Sequence, residues 1–214
     1  MNRLVVVAML WAAALSAARA EAPVILVFGD SISAGYGLPR VEQGWVALLQ
    51  ARLRQQGYGD SIVNASVSGE TTEGGLARLP RALSLHHPQI VILELGGNDG
   101  LRALPIADMR SNLSRMIELS RASGAQVLLL GIRIPPNYGP AYTSEFSAVY
   151  ADLGRTLHVP TVPFLLEGIA LRADLMQADG IHPDPAGQPL LLNNVWPALA
   201  PLLKKTAHLV PPAR

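Results

Sequence analysis

A serine two residues beyond a glycine that ends an apolar run, in VILVFGDSIS (residues 24–33), has the type and place of a nucleophile. Ser31 would attack an acyl carbonyl only with a base at hand, and the chain offers five histidines. His86 and His87 close a helical stretch, where imidazoles meet the final carbonyls and the helix dipole. His158 lies between a helix and a strand, and His208 is in the tail. His182 differs, because in DGIHPDPAG it follows Asp179 by three residues. That spacing lets the carboxylate accept a hydrogen bond from one ring nitrogen while the other faces the serine, which fixes the tautomer and stabilises the imidazolium.

Acyl transfer also needs hydrogen-bond donors for the oxyanion. Gly69 in SGET can bring its backbone N–H close to a ligand because it has no side chain. Asn98 in GGND can donate from its amide. With the Ser31 N–H, these would put three donors on three adjacent loops. Each residue also has an ordinary structural role open to it. Asp30 or Ser31 could cap a helix or form a turn, Asp179 could cap a proline-stopped turn, Gly69 could be a turn glycine and Asn98 an N-cap.

Other chemistries lack their parts. Ser33 stands where the last glycine of a G-x-S-x-G nucleophile elbow would be. Neither a Walker A sequence nor G-x-G-x-x-G is present. One Asp-x-x-His without cysteines or clustered histidines is a poor metal site, so neither a metal nor a cofactor is expected.

Elements able to position these residues follow from the apolar pattern. Runs at 24–28, around Ile62 and Val63, at 89–95, in QVLLLGI and near 161–163 read as five strands. Between them, Trp45, Leu48, Leu49 and Leu53 recur at helical spacing before Gly57. Leu76, Leu79 and Leu83 mark a second helix, which Pro80 is expected to displace or kink. Ile106, Met109, Leu113, Met116 and Ile117 mark a third, and Phe146, Val149, Tyr150, Leu153 and Leu157 a fourth. Leu192, Val195, Trp196, Leu199 and Leu203 give a closing helix. Strands apolar throughout, each followed by an amphipathic helix, predict an α/β fold: a three-layer α/β/α sandwich on a parallel sheet. Ligands in such folds bind beyond the carboxyl ends of the strands, which is where GDSISAGYG, NASVSGETTEGG and GGNDG fall.

The first twenty residues, MNRLVVVAMLWAAALSAARA, start basic at Arg3, run apolar over 4–18 and carry small residues at Ala18 and Ala20. This is the pattern of a cleavable secretory signal, cut after Ala20, and it predicts a periplasmic or secreted protein. A retained anchor is the alternative, disfavoured because a span needs about 20 apolar residues. Loss of Arg3 and Arg19 leaves 15 basic against 16 acidic residues. That balance, with no basic run, gives no electrostatic case for nucleic acid. The chain has no cysteine, so disulfides and a lipid-modified cysteine are excluded. Residues 21–214 are expected to form one domain, a monomer with no stable membrane insertion, burying about 70% of its unfolded surface.

Four blocks in order, GDSIS with Ser31, NASVSGET with Gly69, GGND with Asn98 and DGIHP with Asp179 and His182, resemble those of the GDSL or SGNH hydrolases. The likeness to bacterial periplasmic members with acyl-CoA thioesterase, lysophospholipase and arylesterase activities covers nearly the whole mature chain, including LARLP, ELGGNDGLR, NYG and FSAVY. Ile32 and Glu70 depart from the usual leucine and aspartate. The resemblance implies a flavodoxin-like five-stranded sheet, with Ser31 as nucleophile, His182 as general base and acid, and Asp179 orienting it. It also implies an oxyanion hole of the Ser31 and Gly69 N–H groups and the Asn98 side chain. An acyl ester or thioester, small molecule or lipid, is the substrate it implies.

Substrate contacts are expected from LRALPI, through Leu101, Leu104 and Ile106, a region that moves on substrate binding in the resembling enzymes. RIPPNYGP, with Pro135 and Tyr138, is the candidate for the opposite wall. Core packing or loop closure is the competing role for both. Glu94, a carboxylate inside an apolar strand, is expected to be hydrogen-bonded structurally, with a catalytic role left open. The rival functions are a carbohydrate O-deacetylase on the same residues and a non-catalytic envelope binding protein.

Overall fold

The computed structural model describes residues 22–203. The expected signal peptide, 1–20, and His208 lie outside the described residues. Five strands, β1 (Val24–Gly29), β2 (Ser61–Asn64), β3 (Ile90–Glu94), β4 (Gln126–Leu130) and β5 (Thr161–Val162), form one parallel sheet in the order β2-β1-β3-β4-β5. The helices are α1 (Ser31–Ala34), α2 (Trp45–Gln55), α3 (Thr72–His86), α4 (Gly97–Leu101), α5 (Ile106–Ala122), α6 (Pro140–Thr156) and α7 (Gln188–Leu199).

Alternate strand residues point to opposite faces, and here both faces are apolar. Leu26, Phe28, Val91, Leu93, Val127 and Leu129 share one core with residues of α3, α5 and α6. Ile25, Val27, Ile90, Ile92, Leu128 and Leu130 share the other with α2 and α7. The result is the expected three-layer sandwich, and its strand order is the flavodoxin-like one. Among the described residues no helix is long and apolar enough to cross a membrane.

Three local expectations are corrected. Pro80 does not displace its helix: α3 begins at Thr72, where the Thr71 side chain accepts from the Gly74 N–H, and it runs through the proline. The closing helix stops at Leu199, because Pro201 has no N–H to continue the ladder. A tighter turn follows at Ala200–Leu202, and Leu203 is extended. The segments read as loops after β1 and β3 contain the short helices α1 and α4.

Strand order reverses between β1 and β3, which opens a crevice at their carboxyl ends. Gly29 and Glu94 are register partners there. The segments carrying Ser31 and Asn98 therefore leave the sheet side by side.

Candidate active site

Gly29 closes β1 against its neighbour: a Cβ there would lie 2.5 Å from Glu94 Oε2 and 2.9 Å from Ser33 Oγ. The next residue, Asp30, is the N-cap of α1, its Oδ1 accepting the Ile32 N–H at 3.1 Å. Ser31 is thus the first helical residue, and its N–H has no acceptor within the helix. Its Oγ lies 2.8 Å from His182 Nε2, and His182 Nδ1 lies 2.7 Å from Asp179 Oδ2. Asp179 Oδ1 accepts the backbone N–H groups of Ile181 (2.9 Å) and His182 (3.0 Å). The two roles that the sequence left open for Asp179 therefore coexist, one on each oxygen.

Burial pushes the Asp179 carboxyl up, but the hydrogen bonds from the His182 ring and the two N–H groups outweigh it, bringing the pKa down to about 2. The carboxylate is consequently ionised in the folded protein near neutrality. The loop behind it is braced: Gln177 donates its N–H to the His182 carbonyl at 2.8 Å and its Nε2 to the Tyr36 carbonyl at 2.8 Å. The Tyr36 ring packs on the imidazole, with centroids 4.7 Å apart.

On the β3 side, Gly96 rather than Asn98 is the N-cap of α4. Asn98 is the second residue of that helix, and its Nδ2 donates to Asp30 Oδ2 at 3.2 Å. Gly69 lies in the exposed loop after β2 at φ +79°, a conformation that favours glycine. Its carbonyl accepts from the Arg102 guanidinium at 2.9 Å.

Beneath this layer lies a pair of buried carboxylates. Asp30 is 2% exposed and Glu94 wholly buried. Glu94 Oε2 accepts from Ser33 Oγ (2.6 Å) and the Asp30 N–H (3.3 Å), while Oε1 is buried without a protein partner. Burial pushes the Asp30 pKa up to about 6, against the Ile32 N–H, the His182 charge and the Asn98 amide, which lower it. Burial and the neighbouring Asp30 charge hold Glu94 well above the usual carboxylate range.

A cavity of about 320 Å³ opens onto Ser31, Asn98 and His182. Its apolar wall comes from Leu101, Ile132, Ile134, Pro135 and Leu166. Arg133 stands on it as well, stacked 4.7 Å over the Phe164 ring and 3.7 Å from Glu167 Oε2. Of the expected substrate contacts, Leu101 and Pro135 line this cavity and the other three do not. Ile106 is 7% exposed and packed in the core. Leu104 borders a separate depression with Glu73 and Asp108. Tyr138 stands behind the wall, donating its hydroxyl to the Leu101 carbonyl at 2.7 Å, as Tyr142 does to Leu104 at 2.9 Å. These two tyrosines pin the segment after α4 to the start of α6.

Residues 27–190, which include Ser31, Gly69, Asn98, Asp179 and His182, match the GDSL-like lipase/acylhydrolase family. The chain belongs to this family. It is 55% identical over 185 residues to the esterase TesA of Pseudomonas aeruginosa, covering 86% of this chain and 92% of that one. It is 41% identical to the thioesterase 1/protease 1/lysophospholipase L1 of Escherichia coli K12, covering 86% of each. A crystal structure of TesA superposes with a TM-score of 0.82 at 56% identity, covering 84% of this chain and 99% of that one.

Within this family framework, sequence reasoning missed Tyr36, Gln177 and Leu166, and gave Asp30 only a cap or a turn, of which the cap is what it forms on α1. The bond between Gln177 and Tyr36 joins residues 141 apart, and that between Asp30 and Asn98 residues 68 apart. No periodicity or short motif carries such pairings. For the wall the sequence offered Leu101 and Pro135, and the apolar spacing of Ile132 and Ile134 just after β4 was a further signal.

Proposed function

We propose that the protein hydrolyses carboxylic esters and thioesters of acyl chains through an acyl-enzyme on Ser31. The relay Asp179–His182–Ser31, with both ring nitrogens engaged at 2.7 and 2.8 Å beside an apolar cavity, carries this reading. Ser31 Oγ attacks the acyl carbonyl as His182 Nε2 takes its proton, and Asp179 stabilises the imidazolium. The oxyanion accepts from the Ser31 and Gly69 N–H groups and from Asn98 Nδ2. Collapse expels the alcohol or thiol, which recovers the proton from His182. A water activated by the same ring then releases the acid and regenerates Ser31.

This chemistry calls for no cofactor. A cavity of about 320 Å³ is at the small end of ligand pockets, which run from about 300 to 1,000 Å³, and its aliphatic wall suits an acyl chain. The names of the relatives, esterase and thioesterase/lysophospholipase, support the same reaction class. The N-terminal pattern supports export, with residues 21–214 acting as one monomeric domain in the periplasm or outside the cell. Esters of the cell envelope, lysophospholipids among them, fit that location better than cytosolic acyl-CoA.

A series of p-nitrophenyl esters from acetyl to palmitoyl tests the substrate class. The expected result is hydrolysis that favours acyl chains longer than acetyl. A sharp preference for acetyl would favour a carbohydrate O-deacetylase, and no turnover of any ester would leave a binding protein.

A further inference from the structure

We infer that Asp30 is a positioning residue which holds the Asn98 amide with its nitrogen, not its oxygen, toward the reacting carbonyl. The inference rests on the reading of Asn98 as an oxyanion donor.

Both carboxylate oxygens of Asp30 are committed: Oδ1 accepts the Ile32 N–H at 3.1 Å and Oδ2 accepts Asn98 Nδ2 at 3.2 Å. An ionised carboxylate only accepts hydrogen bonds, so the Asn98 amide can face it only through its NH₂ group. One N–H of that group is spent on Asp30, and the other is left for the cavity, which both residues line. Turning the amide over would set its carbonyl oxygen against the carboxylate and place a second oxygen where a negative charge develops. Asp30 thus selects the productive orientation without touching the substrate.

The rest of the site supports this assignment. Asp30 is 2% exposed, so solvent offers Asn98 no competing partner from that side. Its backbone N–H is fixed on Glu94 Oε2 at 3.3 Å, which ties the carboxylate's origin to β3, the strand that leads into α4. The same residue caps α1 and thereby sets Ser31. One side chain therefore registers the nucleophile against an oxyanion donor delivered by a different strand.

The substitution Asp30→Asn separates the two duties. The new carboxamide keeps one acceptor, which the Ile32 N–H retains because asparagine is a good N-cap. Its NH₂ group then faces Asn98, whose amide must turn over to present oxygen. Loss of one oxyanion donor lowers kcat on the order of 100- to 1000-fold. D30N is therefore expected to lose about 100-fold in kcat on p-nitrophenyl butyrate, with KM and melting temperature close to wild type. N98A should lose a comparable factor, and D30N/N98A should be no worse than N98A alone, because the restraint has nothing left to orient.

An unchanged kcat for D30N alongside an impaired N98A would overturn the role of Asp30. An unimpaired N98A would overturn the oxyanion reading of Asn98 itself. Multiplicative losses in the double variant would show that Asp30 acts independently of Asn98, and would likewise overturn the positioning role. Should D30N fail to fold, D30S supplies the same cycle: serine preserves the cap with its single oxygen and lacks the second carboxylate oxygen on which Asn98 Nδ2 rests.

Discussion

The two halves of the site are built in opposite ways. The Asp179–His182 half lies on an exposed loop, and its bonds join residues two or three apart in the chain. The Asp30–Asn98–Glu94 half is buried at the ends of β1 and β3, and its bonds span 64 and 68 residues. The difference follows the work each half does. A group that exchanges protons with substrate and water must stay reachable, and a short local loop can be stiffened by its own backbone bonds. Donors that must not reorganise as charge develops gain from a dry setting held by the sheet. The buried half carries the larger electrostatic burden, two carboxyl groups out of water with one oxygen unpaired by protein.

The largest effect expected from breaking this contrast is on the exposed side. Asp179→Asn keeps an acceptor but loses the charge behind the imidazolium and favours the wrong tautomer, so kcat should fall on the order of 10⁴-fold. Stability to urea should change less than activity, because the asparagine oxygen still accepts the Ile181 and His182 N–H groups. A steady-state assay with a denaturation curve checks both, and a D179N enzyme within a factor of ten of wild type would contradict the relay.

On the buried side the expected effect is on stability first. Glu94→Leu leaves the Ser33 hydroxyl and the Asp30 N–H buried without an acceptor, at a cost of about 2–4 kcal/mol. Glu94→Gln keeps that acceptor and should remain within about 1 kcal/mol of wild type. Equal losses in the two variants would mean that packing, not these hydrogen bonds, is what Glu94 supplies.

The smallest effect is a slope with pH. Asp30 rises from 3.8 unfolded to about 6 folded, and Glu94 moves the same way from 4.5. A raised carboxyl contributes stability that is fully present below its unfolded value and lost as pH rises through its folded value. Asp179, lowered from 3.8 to about 2, contributes above 3.8 and loses its effect only as pH falls toward 2. Between about pH 4 and 6 the buried pair therefore sets the sign, and urea midpoints should rise on acidification through that window. The rise should be shallower in E94Q. A wild-type midpoint that falls over the same interval would contradict a buried, raised pair.

The same contrast explains what was legible in the sequence. All five strands and all five long helices could be placed because burial on one or both faces writes itself into apolar spacing. The Asp179–His182 pairing was readable because its partners are neighbours. Pro80 does not displace the start of its helix, because the Thr71 cap fixes that start at Thr72, and buried Leu79 and Leu83 hold the helix on both sides of the proline. Ile106 and Leu104 were misplaced because an apolar loop residue can face the core, the cavity or neither, and only tertiary geometry decides. The hydrogen-bonding expected for Glu94 is present on Oε2 alone. Asp30 looked like a cap or turn former alone because its second partner, Asn98, arrives from another strand.

The most direct measurement is covalent labelling by a fluorophosphonate ester, followed by intact-mass analysis and peptide mapping. One adduct per chain, on the peptide containing Ser31, is expected in the wild type. Ser31→Ala should show none and lose hydrolysis on the order of 10⁶-fold. An adduct that persists in S31A, or equal turnover by the two proteins, would contradict the assignment of Ser31 as the nucleophile.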